Sequence, residues 1–163
     1  MKRMKGNFKY LTLLLLMVAG MAACKHEELV LDPPPSKVDG INDDFRLTEV
    51  IQVDPLIIGS TNTYDVTSVF TAGTAPVITF KSADFSYTYA PGDAPNYLGS
   101  IGTWAFDNND YPTLIRMTNG SIAYDLRLLH TIRPQDTDLE FEYSRSCGSA
   151  VTVQYRFKFT RIQ

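Results

Sequence analysis

Cysteine and histidine, the side chains most used in nucleophilic and transition-metal chemistry, are scarce in this chain, which has two of each among its 163 residues. Cys147 and His130 are the cysteine and the histidine of residues 39–163, and a nucleophilic thiol needs such a base beside it. The sequence contains no C-x-x-C or H-x-x-x-H pair and no Gly-x-Ser-x-Gly elbow. It therefore predicts no catalytic residue, no metal site and no cofactor. It favours a free or buried thiol at Cys147, in a loop between strands.

Carboxylates are the remaining candidates for chemistry. Asp107-Asn108-Asn109-Asp110 is rich in oxygen and could hold calcium, but Asn and Asp also bond their own backbone in polar turns. Because the twelve-residue calcium loop with its terminal glutamate is absent, the turn is favoured. Glu140 and Glu142 share one face of a predicted strand, as the paired carboxylates of a glycosidase do. They alternate with apolar residues, so we expect that face to be the solvated outer wall.

Apolar and polar residues alternate along most of the chain, which is the period of a strand with one buried face. Asn119-Gly120 between two such stretches is a strong two-residue hairpin signal, because both residues tolerate positive φ. A helical turn over Asp65–Thr71, capped by Asp65, interrupts a less regular stretch from Asp54 to Ala75. The candidate strands are Phe45–Val53, Pro76–Lys81, Asp84–Ala90, Gly99–Asp107, Thr113–Thr118, Ser121–Ile132, a strand through Leu139–Tyr143, and Val151–Thr160.

These candidates predict an all-β domain over residues 39–163, with about eight antiparallel strands joined mostly by short connections. A meander of this kind closes into an up-and-down barrel, which removes its exposed edges. A two-sheet β-sandwich is the alternative. The alternation turns several aromatic side chains inward, among them Trp104, Tyr124, Tyr155 and Phe157. Most inward-facing aromatics of a small barrel fill its core, but a few at one end can line a pocket.

The N-terminal segment has the pattern of a secretory signal. Four basic residues precede a run of 14 residues, Tyr10–Ala23, which is apolar and ends in small side chains. A membrane-spanning helix needs about 20 apolar residues, so this run is too short to span. Met21-Ala22-Ala23-Cys24 resembles the bacterial lipobox. That resemblance implies that residues 1–23 are removed and that Cys24 becomes a lipidated first residue, which leaves Cys147 without a disulfide partner. An ordinary signal peptide is the alternative.

Residues 24–38 read as a tether, because Pro33-Pro34-Pro35 favours extended polyproline II. Lys25 directly after the cysteine argues against the inner-membrane retention signal of enteric bacteria. Glu27 and Glu28 resemble the acidic export signal of Bacteroidota-type surface lipoproteins. The resemblance implies a lipid anchor in the outer membrane, with cell-surface exposure favoured over the periplasmic face. The mature chain keeps 11 basic and 18 acidic residues, a formal net charge of −7, which disfavours nucleic acid as a partner.

The start of the predicted domain carries a further resemblance. Asp39–Asn42 followed by Asp43–Val50 resembles the opening of lipocalin-like domains in Bacteroidota lipoproteins of unknown function, where a G-x-W-x-L strand follows a short helical turn. Asp43 replaces the glycine of that motif and Phe45 the tryptophan, while Gly102–Asp107 resembles a mid-domain strand of the same proteins. The resemblance implies a small apolar ligand at the barrel mouth, for which Trp104, Tyr124, Tyr155 and Phe157 are the candidate binding residues.

The leading hypothesis from the sequence is a non-enzymatic cell-envelope lipoprotein that binds a small molecule or a partner protein through a lipocalin-like barrel. The alternative is a structural or interaction module with a filled core, acting as an accessory subunit of an outer-membrane assembly. A barrel interior that is open at one end would favour the first hypothesis. An interior packed with the domain's own side chains would favour the second.

Overall fold

A computed structural model of the protein describes residues 36–57, 62–148 and 150–162. The predicted signal peptide, the predicted lipid-attachment residue Cys24 and the tether as far as Pro35 lie outside the described residues. All described residues belong to one structural unit, Pro34–Gln163. None of the helices in these described ranges is both long enough and apolar enough to cross a membrane.

The described residues form nine strands and two helices of one turn each. The strands are β1 Asp44–Val53, β2 Thr63–Asp65, β3 Val77–Lys81, β4 Ser86–Ala90, β5 Ile101–Phe106, β6 Leu114–Asn119, β7 Ile122–Leu128, β8 Asp138–Cys147 and β9 Ala150–Arg161. The helices are α1 Lys37–Gly40 and α2 Thr67–Phe70. The prediction of an all-β domain is therefore confirmed.

Eight of the strands close into an antiparallel up-and-down barrel in the order β1-β3-β4-β5-β6-β7-β8-β9, and β9 pairs back with β1. Closure rests on the long β1–β9 ladder, which runs from Phe45↔Arg161 to Val53↔Gln154. The predicted barrel is thus confirmed and the two-sheet sandwich is excluded. The ninth strand, β2, lies outside the barrel order and pairs only with the last three residues of β1. It was not predicted, because three exposed residues show no alternation.

The predicted turns and alternation account for most of this architecture. The predicted hairpin between β6 and β7 is present, but its loop lies one residue later than predicted, at Gly120 and Ser121. Asn119 ends β6 opposite Ile122, and of the predicted pair only Gly120 has a positive φ, +58°. Most strand ends differ from the prediction by one or two residues, and two differ by four: β7 stops at Leu128 rather than Ile132, and β8 continues to Cys147 through residues predicted as a loop. The extension of β8 is stabilised by its ladder with β9, which reaches Cys147↔Ala150.

The lower end of the barrel, where β1 begins and β9 ends, is closed by the N-terminal segment. Ser36 caps α1, with its hydroxyl oxygen accepting a hydrogen bond from the Val38 N–H at 3.1 Å. Ile41 follows α1 and is fully buried. Arg161 at the end of β9 donates to the carbonyl oxygens of Gly40 and Pro134, at 2.8 and 2.7 Å. These contacts join the first and last described segments across the bottom of the barrel.

The upper end is covered by two connections, the β1–β3 connection that contains β2 and α2, and the β4–β5 loop. The helical turn predicted over Asp65–Thr71 is present as α2, but its N-cap is Val66 rather than Asp65. Asp65 lies one residue earlier and accepts a hydrogen bond from the Thr67 N–H at 2.9 Å. The Asp65 side chain therefore stabilises the backbone just before α2, and the predicted N-cap was wrong by one residue.

Candidate functional site

Trp104, the first of the predicted ligand-binding residues, lies in a packed part of the interior. Its side chain is 2% exposed, and its ring lies 5.2–5.7 Å from the rings of Phe80, Phe85 and Phe106, measured between centroids. Its indole N–H donates to the carbonyl oxygen of Lys81 at 3.2 Å. The ring is thus surrounded by other aromatics and its polar atom is bonded to backbone, as expected for a core tryptophan.

Tyr155 and Phe157, on β9, lie in a second aromatic group. Phe157 is buried, with ring centroids 5.6 Å from Phe141 and 5.7 Å from Phe70. Tyr155 is half-buried, and its ring stacks on that of Tyr97 at 6.2 Å with an interplanar angle of 23°. The structure therefore brings these two predicted residues together.

The cover over the upper end is held in place by side-chain contacts to backbone groups. Phe70 of α2 is buried against Tyr97, Tyr155 and Phe157. The Thr67 hydroxyl oxygen accepts a hydrogen bond from the Val50 N–H at 2.9 Å and so fastens α2 to β1. The cover places protein side chains where the lipocalin-like resemblance implies an open mouth.

The β4–β5 loop supplies the other part of the cover. The Tyr87 hydroxyl donates to the Leu98 carbonyl oxygen at 2.7 Å inside the barrel. Asp93 accepts a hydrogen bond from the Thr74 N–H at 2.7 Å and joins the two covering connections. Burial raises the pKa of the neighbouring Tyr89 to about 12. The two hydrogen bonds hold the loop in place, one to Tyr87 inside the barrel and the other to the β1–β3 connection.

Tyr124 lies apart from both aromatic groups. It stands opposite Met117, which in turn stands opposite Trp104, so two strand spacings separate the tyrosine from the tryptophan. Its ring packs edge-on against Tyr143 of β8, with 6.4 Å between centroids. The four predicted ligand-binding residues are therefore distributed over three groups. Four clefts of about 390 to 640 Å³ are formed by described residues. Phe157 lines one of them and Tyr124 another, and none of the four is lined by Trp104 or Tyr155.

The outer wall of the barrel carries a buried carboxylate that sequence reasoning missed. Glu142 was expected on a solvated face, but it is 4% exposed. Arg127 donates to its Oε1 at 2.9 Å, Arg156 to its Oε2 at 3.3 Å, and Gln154 to its Oε1 at 3.3 Å. The register explains the burial, because Arg127 and Arg156 stand directly opposite Glu142 on the two flanking strands. The expectation was wrong for Glu142, whose charge is compensated and covered by its neighbours.

Glu140 belongs to a second group of charges below Glu142 on the same wall. Lys158 lies 3.4 Å from Glu140 and 3.0 Å from Asp138, and His130 Nε2 lies 3.2 Å from Glu140. The hydrogen bond from Lys158 is the main cause that lowers the pKa of Asp138, and the reciprocal bond raises the pKa of Lys158. Glu140 and Glu142 are therefore each bound to cations.

The oxygen-rich stretch 107–110 forms a polar turn. Asp107 accepts hydrogen bonds from the Thr113 hydroxyl at 2.6 Å and from the backbone N–H groups of Thr113 and Leu114 at 2.9 and 3.0 Å. Asn108 accepts from the Asp110 and Tyr111 N–H groups. The side-chain oxygens of these two residues are therefore already bound within the loop. Within the described ranges, no group of three or more His, Cys, Asp or Glu side chains is placed to hold a metal ion.

Cys147 ends β8 at the upper hairpin and is exposed. Several apolar side chains are exposed at the same end of the barrel. Leu56 and Val69 are 73% and 63% exposed in the β1–β3 connection, and Ile101 and Ile122 are exposed where β5 and β7 begin. Single exposed apolar residues are common on soluble proteins, but four of them at one end give that end an apolar character.

A search of protein-family models and a search of the curated proteins both find no match to this chain.

Proposed function

We propose that this protein is a non-enzymatic, lipid-anchored module of the bacterial cell envelope, whose closed barrel acts as a rigid scaffold for binding a partner protein. The partner is a subunit of an outer-membrane assembly, and the contacts are made by the wall and the ends of the barrel rather than by a ligand cavity within it. This choice follows the second of the two hypotheses drawn from the sequence.

One observation carries the choice, namely the packing around Trp104. A tryptophan that is 2% exposed, surrounded by three aromatic rings and hydrogen-bonded to a backbone carbonyl lacks free surface to offer a ligand. The covers formed by Phe70 at the upper end and by α1 and Ile41 at the lower end support the same choice. A packed barrel contributes rigidity, and rigid surfaces bind partners at a smaller entropic cost.

The envelope part of the proposal depends on the N-terminal sequence. The lipobox-like Met21–Cys24 supports a lipid anchor, and Glu27 and Glu28 support exposure on the cell surface. The predicted tether of residues 24–38 overlaps the first two residues of α1, and α1 lies at the lower end of the barrel. The exposed apolar residues Leu56, Val69, Ile101 and Ile122 lie at the opposite end, where a partner can reach them.

The fluorescence of Trp104 tests the proposal, because the chain has one tryptophan. We expect 12-bromododecanoic acid, an apolar probe whose bromine quenches indoles on contact, to leave the emission unchanged apart from a weak, non-saturating collisional effect. The control is N-acetyltryptophanamide in the same buffer, which must be quenched freely. Saturable quenching of the protein would show that the probe reaches Trp104 and would favour a ligand carrier instead.

A further inference from the structure

The wall of the barrel is incompletely paired between β7 and β8. β7 pairs with β6 along its length, from Asn119↔Ile122 to Leu114↔Arg127. β8 likewise pairs with β9 up to Cys147. Between β7 and β8, however, the ladder consists of Arg127↔Glu142 and Leu128↔Phe141, followed below by one hydrogen bond from the Leu129 N–H to the Glu140 carbonyl oxygen. We call the unpaired gap between Ile122–Leu126 and Tyr143–Cys147 the seam.

The seam has the form of a cleft with two strand edges as its walls. Its volume is about 390 Å³, and it is lined by Ala123–Asp125 on one side and Tyr143–Ser146 on the other. The rings of Tyr124 and Tyr143 pack against each other and against the hydrophobic core, on the inner side of the two strands. Outside lie the polar side chains of Asp125 and Ser144, with Asp125 bound to Arg116 at 2.7 Å. The seam is therefore apolar toward the barrel and polar toward solvent.

Two irregular features accompany the missing pairing. The β8–β9 ladder changes register between Arg145 and Ser146, and such a bulge increases the local twist of the strand. The Arg145 guanidinium also leans over the Tyr97 ring, 6.0 Å from its centroid. Both features lie in the part of β8 that borders the seam.

The backbone groups that face the seam follow from the hydrogen bonds at its lower margin. The Leu129 N–H bonds across to β8, whereas the Leu128 N–H bonds back to Thr113 on the β6 side. In an antiparallel strand, the backbone groups of successive residues point to alternate sides. On β7, the N–H and C=O groups of Ala123 and Asp125 therefore point into the seam. On β8, those of Ser144 do. The described pairings provide no cross-strand partner for these groups on that side.

We propose that the seam binds an extended peptide segment of the partner protein, which adds as a strand between β7 and β8. A strand presents N–H and C=O groups at a repeat of two residues, about 6.6–6.8 Å, which matches the repeat of the two free edges. Its alternate side chains meet Tyr124 and Tyr143 on the inner face and solvent on the outer face. The recognised peptide therefore alternates apolar and polar residues. It does so along the length of the β7 edge, which consists of the five residues Ile122–Leu126. This inference rests on the proposed interaction function and names the chemistry of the partner.

The test uses the full mature lipoprotein in detergent, with a phage-displayed library of random twelve-residue peptides as the probe. We expect the enriched peptides to alternate apolar and polar residues. Ser144→Pro removes the N–H that points into the seam, and proline is tolerated on a strand edge. Loss of one such hydrogen bond should weaken binding about tenfold. Ser144→Thr keeps the N–H and should bind as the unaltered protein does.

Amide hydrogen exchange keeps the test decisive if Ser144→Pro fails to fold. In the unaltered protein, the bound peptide should slow exchange of the Ala123, Asp125 and Ser144 N–H groups. The absence of enriched peptides, equal affinity for the Pro variant, or unchanged exchange at these amides would overturn the inference. Self-association that Ser144→Pro abolishes would assign the seam to a second copy of the chain and would overturn it as well. Peptides that bind at another surface would contradict the seam as the binding site but would agree with the proposed interaction function. Saturable quenching of Trp104 in the fluorescence test would contradict the proposed function itself.

Discussion

At the scale of single residues, Glu142 shows that cross-strand neighbours can bury a side chain that points to the outside of the barrel. The residue alternates with Phe141 and Tyr143, so the alternation correctly directs its side chain outward. Its burial depends on Arg127 and Arg156, which are distant in sequence and become neighbours only when the strands pair. The sequence did contain a signal for this burial, because Arg127 and Arg156 also occupy outward-facing positions in their strands. That signal has no meaning until the register is known.

Replacing both arginines by methionine, Arg127→Met with Arg156→Met, should destabilise the fold. Methionine keeps most of the cover over Glu142 but removes the charges, so the carboxylate stays buried without cationic partners. We expect a loss of about 1–3 kcal/mol in the free energy of unfolding, measured by urea denaturation. Glu142→Gln should cost less, because the two arginine side chains are 62% and 47% exposed and regain water. Equal losses in the two variants would contradict this account.

Trp104→Ala should destabilise the domain by about 3–5 kcal/mol, as truncation of a packed aromatic does. The reason is the loss of ring contacts with Phe80, Phe85 and Phe106 together with the cavity left behind. Denaturation followed by circular dichroism measures the change without relying on the lost fluorophore. Trp104→Phe keeps an aromatic ring in the site and should cost clearly less. A loss below about 1 kcal/mol for the alanine variant would mean that Trp104 is not part of a packed core.

At the scale of elements, the turns were the most predictable parts and the long connections the least. Asn119-Gly120 predicts the hairpin because glycine supplies the positive φ that a tight two-residue loop needs, a purely local requirement. The loop itself lies at Gly120-Ser121, one residue later than predicted. The β1–β3 connection lacks such a requirement, so β2 was not predicted. The cover formed by Phe70 was not predicted either. The local trace of that cover is a helical turn with three apolar residues, Val66, Val69 and Phe70, and nothing in the local pattern says that Phe70 is buried while Val69 is exposed.

The loop between β5 and β6 should make stability depend on pH in acid. Hydrogen bonds from Thr113 lower the pKa of Asp107 to about 2, from an ordinary 3.8. Because the folded-state pKa is lowered, the stabilisation is complete above about pH 4 and is lost as the pH falls toward 2. We expect the difference in unfolding free energy between the unaltered protein and Asp107→Asn to shrink over this interval. Asp110→Asn removes a charge from the same loop and serves as the control. A difference that stays constant down to pH 2 would refute the assignment.

At the scale of the whole molecule, the proposed anchor determines where the barrel works. Replacing Cys24 by serine removes the only thiol in the lipobox-like motif, so the protein should carry no acyl chains and should no longer partition into membranes. Mass spectrometry of the mature N-terminus and membrane fractionation measure the two effects. Cys147→Ser changes the other cysteine and should leave both unchanged. An unmodified N-terminus in the unaltered protein, with the protein free of membranes, would disprove the anchor.

The sequence by itself determined the class of fold and most strand positions, because period-two alternation and turn chemistry act over neighbouring residues. It also indicated barrel closure, since a meander with short connections leaves few other ways to hide its edges. Whether the interior is filled, which outward-facing charge is buried and where the wall stays unpaired were decided by the tertiary structure. Each of these depends on contacts between segments far apart in the chain, such as Phe70 with Phe157 or Glu142 with Arg127. Local pattern does not encode which of these distant segments meet.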